Sequence, residues 1–343
     1  MPTRRASRDN AVQPDSGPAR LLPVMFHTLR SRRPFAALLA GLLLLLLLAG
    51  CATAPPPVVP KLAHSQALAP RDDGLLADVE RQIASRHGAG ASGFRLLDSN
   101  ANGLRYRLAV IDGARHSLDI QYYVWFADGA GQLLMARVIA AADRGVKVRM
   151  LFDDLNTMLH TMSSPELRDA MLARVDAHPN IEVRVFNAWR GRGWLGRLGE
   201  GVTDFARINR RMHNKQLIAD NRTAILGGRN IGDEYMGLHT DFNFHDLDVL
   251  GVGPVARQAS AVFDRYWNSD WVRRIPPMAS PNAARVTPAV IELPPEAAAH
   301  PAMQAVLTGA RSWSGELDGL PQSLAIGKSE VHTDPPSRAP GVN

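Results

Sequence analysis

At 343 residues, with 45% hydrophobic and 21% charged side chains, the chain can bury an ordinary globular core of one or two domains once any targeting segment is set aside. Its formal charge of +6 is concentrated: Arg4, Arg5, Arg8, Arg20, Arg30, Arg32 and Arg33, against Asp9 and Asp15, lie in residues 1–50. Little net charge is left for the remainder, so a global electrostatic case for a nucleic-acid partner fails. The single cysteine, Cys51, excludes an intrachain disulfide and a cysteine-based zinc cluster.

Arg30, Arg32 and Arg33 precede an apolar run from Phe35 to Ala49, which ends in Leu48-Ala49-Gly50-Cys51. A charged start, an apolar stretch and small residues before a cleavage point make residues 1–50 a secretory signal, with Met25 as its expected start. An uncleaved anchor helix is the second reading, although about 15 apolar residues fall short of the ~20 that span a bilayer. The Leu-Ala-Gly-Cys ending resembles a bacterial lipobox, which implies lipidation at Cys51; Ala52 implies the outer membrane, facing the periplasm. The lipid would hold the protein on a membrane surface of the cell envelope. Residues 51–74 begin as a stiff, proline-rich tether.

The folded unit is expected over residues 75–275. An amphipathic helix over Leu75–Ser85 opens it, then a helix over Leu104–Ala114, a strand over Ser117–Phe126, a helix over Gln132–Arg144 and a strand over Val146–Phe152. A strand-helix-strand unit of this kind predicts a parallel, buried pair and an α/β class. A strand over Ile181–Phe186 follows, then a hairpin of Met212–Ala219 and Thr223–Leu226 turning at Asp220-Asn221. A strand over Leu247–Val252 and a helix over Pro254–Trp267 close the unit. Residues 276–343 read as a linker-like tail.

The chemistry concentrates between Arg211 and Asn230. In a strand, residues two apart share a face, so His213 and Lys215 present an imidazole and an ammonium to one spot. Gly227-Gly228 permits close backbone approach and Asn230 returns an amide to the same place. Lys215 and Asn230 could screen the charge of a phosphodiester, while neutral His213 attacks phosphorus and holds the phosphoryl group covalently. Asp246 is the candidate to fix the histidine tautomer, with Asp248 as the alternative; Asp220 either supports the site or makes only the turn. Asn230 could also cap a following helix.

The spacing His-x-Lys-x4-Asp-x6-Gly-Gly-x-Asn resembles the signature of the phospholipase D superfamily. Arg211–Tyr235, Asp246–Val255 and Phe263–Asn268 look most like the first half of cardiolipin synthase C-type proteins. The resemblance implies an α/β phospholipase D-like fold, with a mixed, largely parallel sheet flanked by helices, as one half of the usual two-half enzyme. It implies phosphatidyl transfer between membrane phospholipids, phosphatidylglycerol first and phosphatidylethanolamine second, with no cofactor and no metal. His213 would be nucleophile or acid/base partner, Lys215 and Asn230 phosphate ligands, and Asp220 a support. The sequence carries one such motif where the family has two. Either a homodimer restores the pair across a two-fold axis, working as a transferase or as a phospholipase- or nuclease-type phosphodiesterase, or the chain is truncated before its second half and is an inactive lipid-binding lipoprotein.

Between Ala188 and Arg211 lie six arginines with Trp189 and Trp194 interleaved, a segment that could dock on anionic headgroups or be an ordinary solvated loop. Gly88-Ala89-Gly90-Ala91-Ser92-Gly93 matches a dinucleotide fingerprint in letters but follows a helix pattern instead of a strand. Asp153-Asp154 lacks further ligands at metal-binding spacing, and His239 and His245 read as packed or solvent-facing.

Overall fold

The computed structural model describes residues 38–43, 62–154, 172–190, 194–274, 295–308 and 313–336. Residues up to Pro60 form a unit of their own, in which residues 38–43 are helical. Cys51, the cleavage region and the start of the tether lie outside the described residues. No helix among the described residues is long and apolar enough to cross a membrane.

The second unit is built on one nine-stranded sheet. In chain order its elements are α1 (Leu75–His87), β1 (Ser92–Leu97), α2 (Asn100–Gly113), β2 (Ser117–Tyr122), α3 (Gly129–Asp143), β3 (Lys147–Asp153), β4 (Ile181–Phe186), α4 (Trp194–Thr203), α5 (Phe205–Ile208), β5 (Gln216–Ala219), β6 (Thr223–Gly227), α6 (Asp233–Met236), β7 (Asp248–Val252), α7 (Pro254–Trp267), β8 (Val272–Arg274) and, near the end, β9 (Ala325–Gly327). The strand order is β8-β4-β3-β2-β5-β6-β7-β1-β9. The parallel core β2-β3-β4 comes from the strand-helix-strand run, and antiparallel strands extend it on both sides.

Side-chain caps explain where the helices start earlier than apolar periodicity alone predicts. The Ser99 side chain accepts from Asn102 N–H, which starts α2 at Asn100, and Asp128 accepts from Gly131 N–H, which starts α3 at Gly129. The strand expected to reach Phe126 stops at Tyr122. The glycine run at 88–93 stands between α1 and β1, helix first and strand second, the reverse of a dinucleotide fold. β1 itself was not anticipated: its burial does not alternate cleanly, since Leu97 is buried and Leu96 exposed, but Phe94 and Arg95 are both intermediate.

One sheet face packs against α1, α2 and α3 through Leu104, Leu108, Ile120, Leu134, Met150 and Leu250. The other packs against α7 through Leu151, Ile218, Ala224, Phe263 and Trp267. On that second face Arg149, in β3, is held between Asp119 and Asp264 and lies over the Phe263 ring, so a largely buried charge is neutralised.

Two expectations about the ends are corrected. From residue 62 onward the tether is part of the body: Ser65 and Ala67 N–H groups donate to Asn268 and Asp264, and Arg184 donates to the Ala63 carbonyl. The tail is no linker where it is described. Met303, Leu317 and Leu320 are buried in the first core cluster, and β9 pairs antiparallel with β1. Scattered apolar residues at no regular period supply this contact, which is why periodicity missed it.

Candidate active site

The motif strand is shorter than expected. β5 begins at Gln216, so His213 and Lys215 lie in the extended segment just before it. What holds that segment is Asp153 at the end of β3: its carboxylate accepts from Met212 N–H at 2.8 Å and pairs with Arg211 at 3.2 Å. Met212 is fully buried in the second core cluster, and Lys215 C=O accepts from Gly227 N–H at 3.3 Å, so the segment is pinned from both sides. Asp153-Asp154 is therefore a brace: Asp154 takes the Trp189 N–H.

The two side chains converge. Lys215 Nζ lies 3.1 Å from His213 Nδ1 and 3.2 Å from Nε2, and donates to the His213 carbonyl at 2.8 Å. The imidazole is exposed, whereas Lys215 is buried to 7% exposure, with Nζ 5.5 Å from the centre of the Tyr123 ring. Tyr123 also lies against His213, ring centres 4.8 Å apart. Burial lowers the His213 pKa, and the Lys215 charge adds to this while Asp246 opposes it. Burial likewise lowers Lys215 to about 8, against the pull of Asp246. The outcome is a neutral imidazole beside an ammonium at neutral pH.

Asp246 acts on both groups through space; its Oδ1 accepts from Leu247 N–H at 3.0 Å, and no hydrogen bond joins it to the imidazole. A Cβ at Gly228 would collide with the Asp246 carboxylate, and one at Gly227 with Asp248 and the Leu247 carbonyl. The two glycines thus admit the Asp246 and Asp248 carboxylates to the motif backbone. Asp248, the alternative orienter, is elsewhere engaged: it is buried, 2.9 Å from Arg107 and 3.1 Å from Arg229. Against the burial that would raise its pKa, the Arg107 and Arg229 charges hold it below the usual carboxylate range.

Asn230 is buried, with Oδ1 accepting from Val124 N–H at 3.1 Å and a hydrogen bond to the Tyr235 phenol. The helix that follows is capped by Gly232, so Asn230 is no cap. Asp220 lies at the far end of β5, about 16 Å along the strand from Lys215. There it accepts from the N–H groups of Arg115, His116 and Ser117 at 2.7–3.2 Å, and with Asn221 it takes the left-handed backbone of the hairpin turn. That geometry corrects its placement among catalytic groups: it clamps the α2–β2 loop.

Sequence reasoning missed Tyr123 and Tyr235. Tyr123 supports His213, and Tyr235 touches Asn230, senses Asp246 and stacks on Phe244 at 4.8 Å. Tyr123 lies in a stretch read as plain strand, and Tyr235 sits five residues past the motif, so neither carried a spacing signal.

Residues 108–267 match the family model described as "Cardiolipin synthase, PLD-like domain". This stretch is a phospholipase D-like domain. Cardiolipin synthase C of Escherichia coli is 46% identical to the chain over 193 residues, 56% of this chain and 38% of that protein. An uncharacterized protein of Helicobacter pylori is 41% identical over 172 residues, 50% of this chain and 33% of its own. The chain thus spans about a third of the length of these relatives. A solved phospholipase D family member, Nuc from Salmonella typhimurium, aligns with 53% of this chain and 97% of its own at 17% identity and a TM-score of 0.38, too distant to inform the site. The phospholipase D-like domain holds the whole motif, from His213 to Asn230, together with Asp246, Tyr123 and Tyr235.

Proposed function

We propose that the chain contributes one half of a phosphatidyltransferase site of the cardiolipin synthase type, acting on phosphatidylglycerol in a membrane, with phosphatidylethanolamine as a second donor. The observation that carries this is the approach of Lys215 Nζ to both His213 ring nitrogens beside an exposed imidazole held neutral. A ring nitrogen of His213 attacks phosphorus, the bond to the headgroup glycerol breaks, and that oxygen takes a proton from an acid. The primary hydroxyl of a second phosphatidylglycerol then attacks phosphorus, the P–N bond breaks, and the acid recovers its proton. Lys215 neutralises the phosphoryl oxygens in both steps, and Asp246 keeps the imidazole and ammonium charges in balance. Asn230 supports the pocket by holding Tyr235.

The proton donor is the second histidine of the family pattern. We place it on another polypeptide, most simply a second copy across a two-fold axis. The lipidated Cys51 would hold the assembly on the outer membrane, facing the periplasm.

Incubation with labelled phosphatidylglycerol is expected to yield cardiolipin and glycerol, with an acid-labile phosphoryl label on His213 and neither in His213→Ala. Cardiolipin formation by His213→Ala would refute the nucleophile. Cleavage of DNA without lipid turnover would move the reading to a nuclease-type phosphodiesterase, and a monomer lacking all turnover would reduce it to a lipid-binding protein.

A further inference from the structure

Helix α4 is inside out. A helix on the surface of a globular protein turns its apolar stripe inward and its charges to water. In α4 the buried positions are Arg197 and Glu200, while Leu195, Leu198 and Val202 are 65%, 60% and 79% exposed; Phe205, opening α5, continues the ridge at 64%. Both inward charges have partners inside the protein. Glu200 accepts from Arg190 N–H and pairs with Arg207, and Arg197 lies over the Trp189 ring. This buried network fixes the helix with its apolar face outward. Trp189 is 4% exposed and is an internal support, so the indole expected at a lipid interface is not this one.

The ridge has a cationic border. Arg190 is 62% exposed, and half-buried Arg273 and Arg210, the latter over the Trp271 ring, follow it. Burial lowers the Arg273 pKa, Asp270 opposes that shift and the Arg190 charge adds to it, so two guanidiniums crowd here. Asp204 is the carboxylate facing Arg190. Four apolar side chains make too small a patch for a stable protein partner, which takes about 20–30 residues a side. An apolar ridge bordered by arginines is what an anionic lipid surface recognises.

We propose that the ridge Leu195, Leu198, Val202 and Phe205 inserts into an anionic phospholipid surface while Arg190, Arg210 and Arg273 meet the headgroups. The chain runs from Phe205 to His213 in eight residues, so insertion brings the site to the headgroup layer. The role of this docking rests on the phospholipid reading above, but its test does not.

Hydrogen exchange of the full chain resolves residues 194–205 separately from any anchoring by the N-terminal segment. Vesicles of phosphatidylglycerol and phosphatidylcholine are expected to slow exchange there, and pure phosphatidylcholine vesicles are not. In the double variant Leu198→Glu, Val202→Glu, both positions being exposed, the vesicle effect should fall by about tenfold or more. Unchanged exchange on anionic vesicles overturns the proposal. So does slowing without vesicles that rises with protein concentration and a dimer mass, since a second copy then covers the ridge. If no lipid is turned over, on vesicles or in detergent, while 194–205 is still protected, the enzymatic reading fails and the docking stands. If the double variant keeps turnover of detergent-dispersed lipid and loses it on vesicles, both hold.

Discussion

Asp246 and Asp248 are two residues apart, yet they belong to opposite kinds of charge cluster. Asp248 is enclosed with Arg107 and Arg229, and every partner it needs is within hydrogen-bond reach. Asp246 faces an ammonium and an imidazole that it influences without touching, in a pocket where the imidazole is exposed. A saturated cluster can only hold elements together, here α2, the segment after β6, and β7. An open one has capacity left for a substrate, and burial lowers the pKa values of its imidazole and its ammonium against the pull of Asp246.

The comparison is broken most decisively at its two centres. His213→Ala should reduce turnover by at least about 10⁴-fold and leave the thermal midpoint unchanged, as measured by product formation and calorimetry. Asp248→Ala should do the reverse, costing about 3–5 kcal/mol by leaving two buried guanidiniums without their anion; denaturant titration reads this loss, and the folded fraction should retain its turnover. If Asp248→Ala removes activity in protein that is still fully folded, the division between the clusters is wrong.

Smaller effects sharpen it. Lys215→Met should lower turnover by about 10²–10³-fold, since one donor to a developing phosphoryl charge is lost. Asp220→Ala should cost about 1–3 kcal/mol by freeing the N–H groups of the α2–β2 loop, with turnover per folded molecule unchanged. The rate should follow a bell in pH: it rises as His213 loses its proton, at a pH below the ordinary histidine value, and falls as the donor histidine loses its own, with a further fall as Lys215 deprotonates near about 8. Lys215→Arg should remove the further fall near about 8, because a guanidinium does not titrate there, and leave the donor's limb in place.

The sequence was most legible where local periodicity and tertiary contact agree. β4 over Ile181–Phe186 and α7 over Pro254–Trp267 have the anticipated bounds. In β4 Val183, Val185 and Phe186 are all buried, and in α7 Pro254 fixes the start. It was less legible where a cap decides a boundary, as at Ser99 and Asp128, and least where pairing is long-range. β9 is three residues long and exists because β1 offers an edge more than 200 residues away in sequence.

For the site, the motif letters alone determined which residues carry reactive groups and that an imidazole and an ammonium lie together, since a two-residue step along extended chain leaves little freedom. Only the tertiary structure decided the rest. Which of two neighbouring aspartates faces the pocket depends on where Arg107 and Arg229 arrive from other elements, and Asp220 was removed from the pocket by the length of β5. Tyr123 and Tyr235 were brought in by strands and turns that the motif does not encode. α4 turned its apolar side outward because Glu200 and Arg197 found partners within, and a pattern along one helix cannot say which of its faces meets the protein.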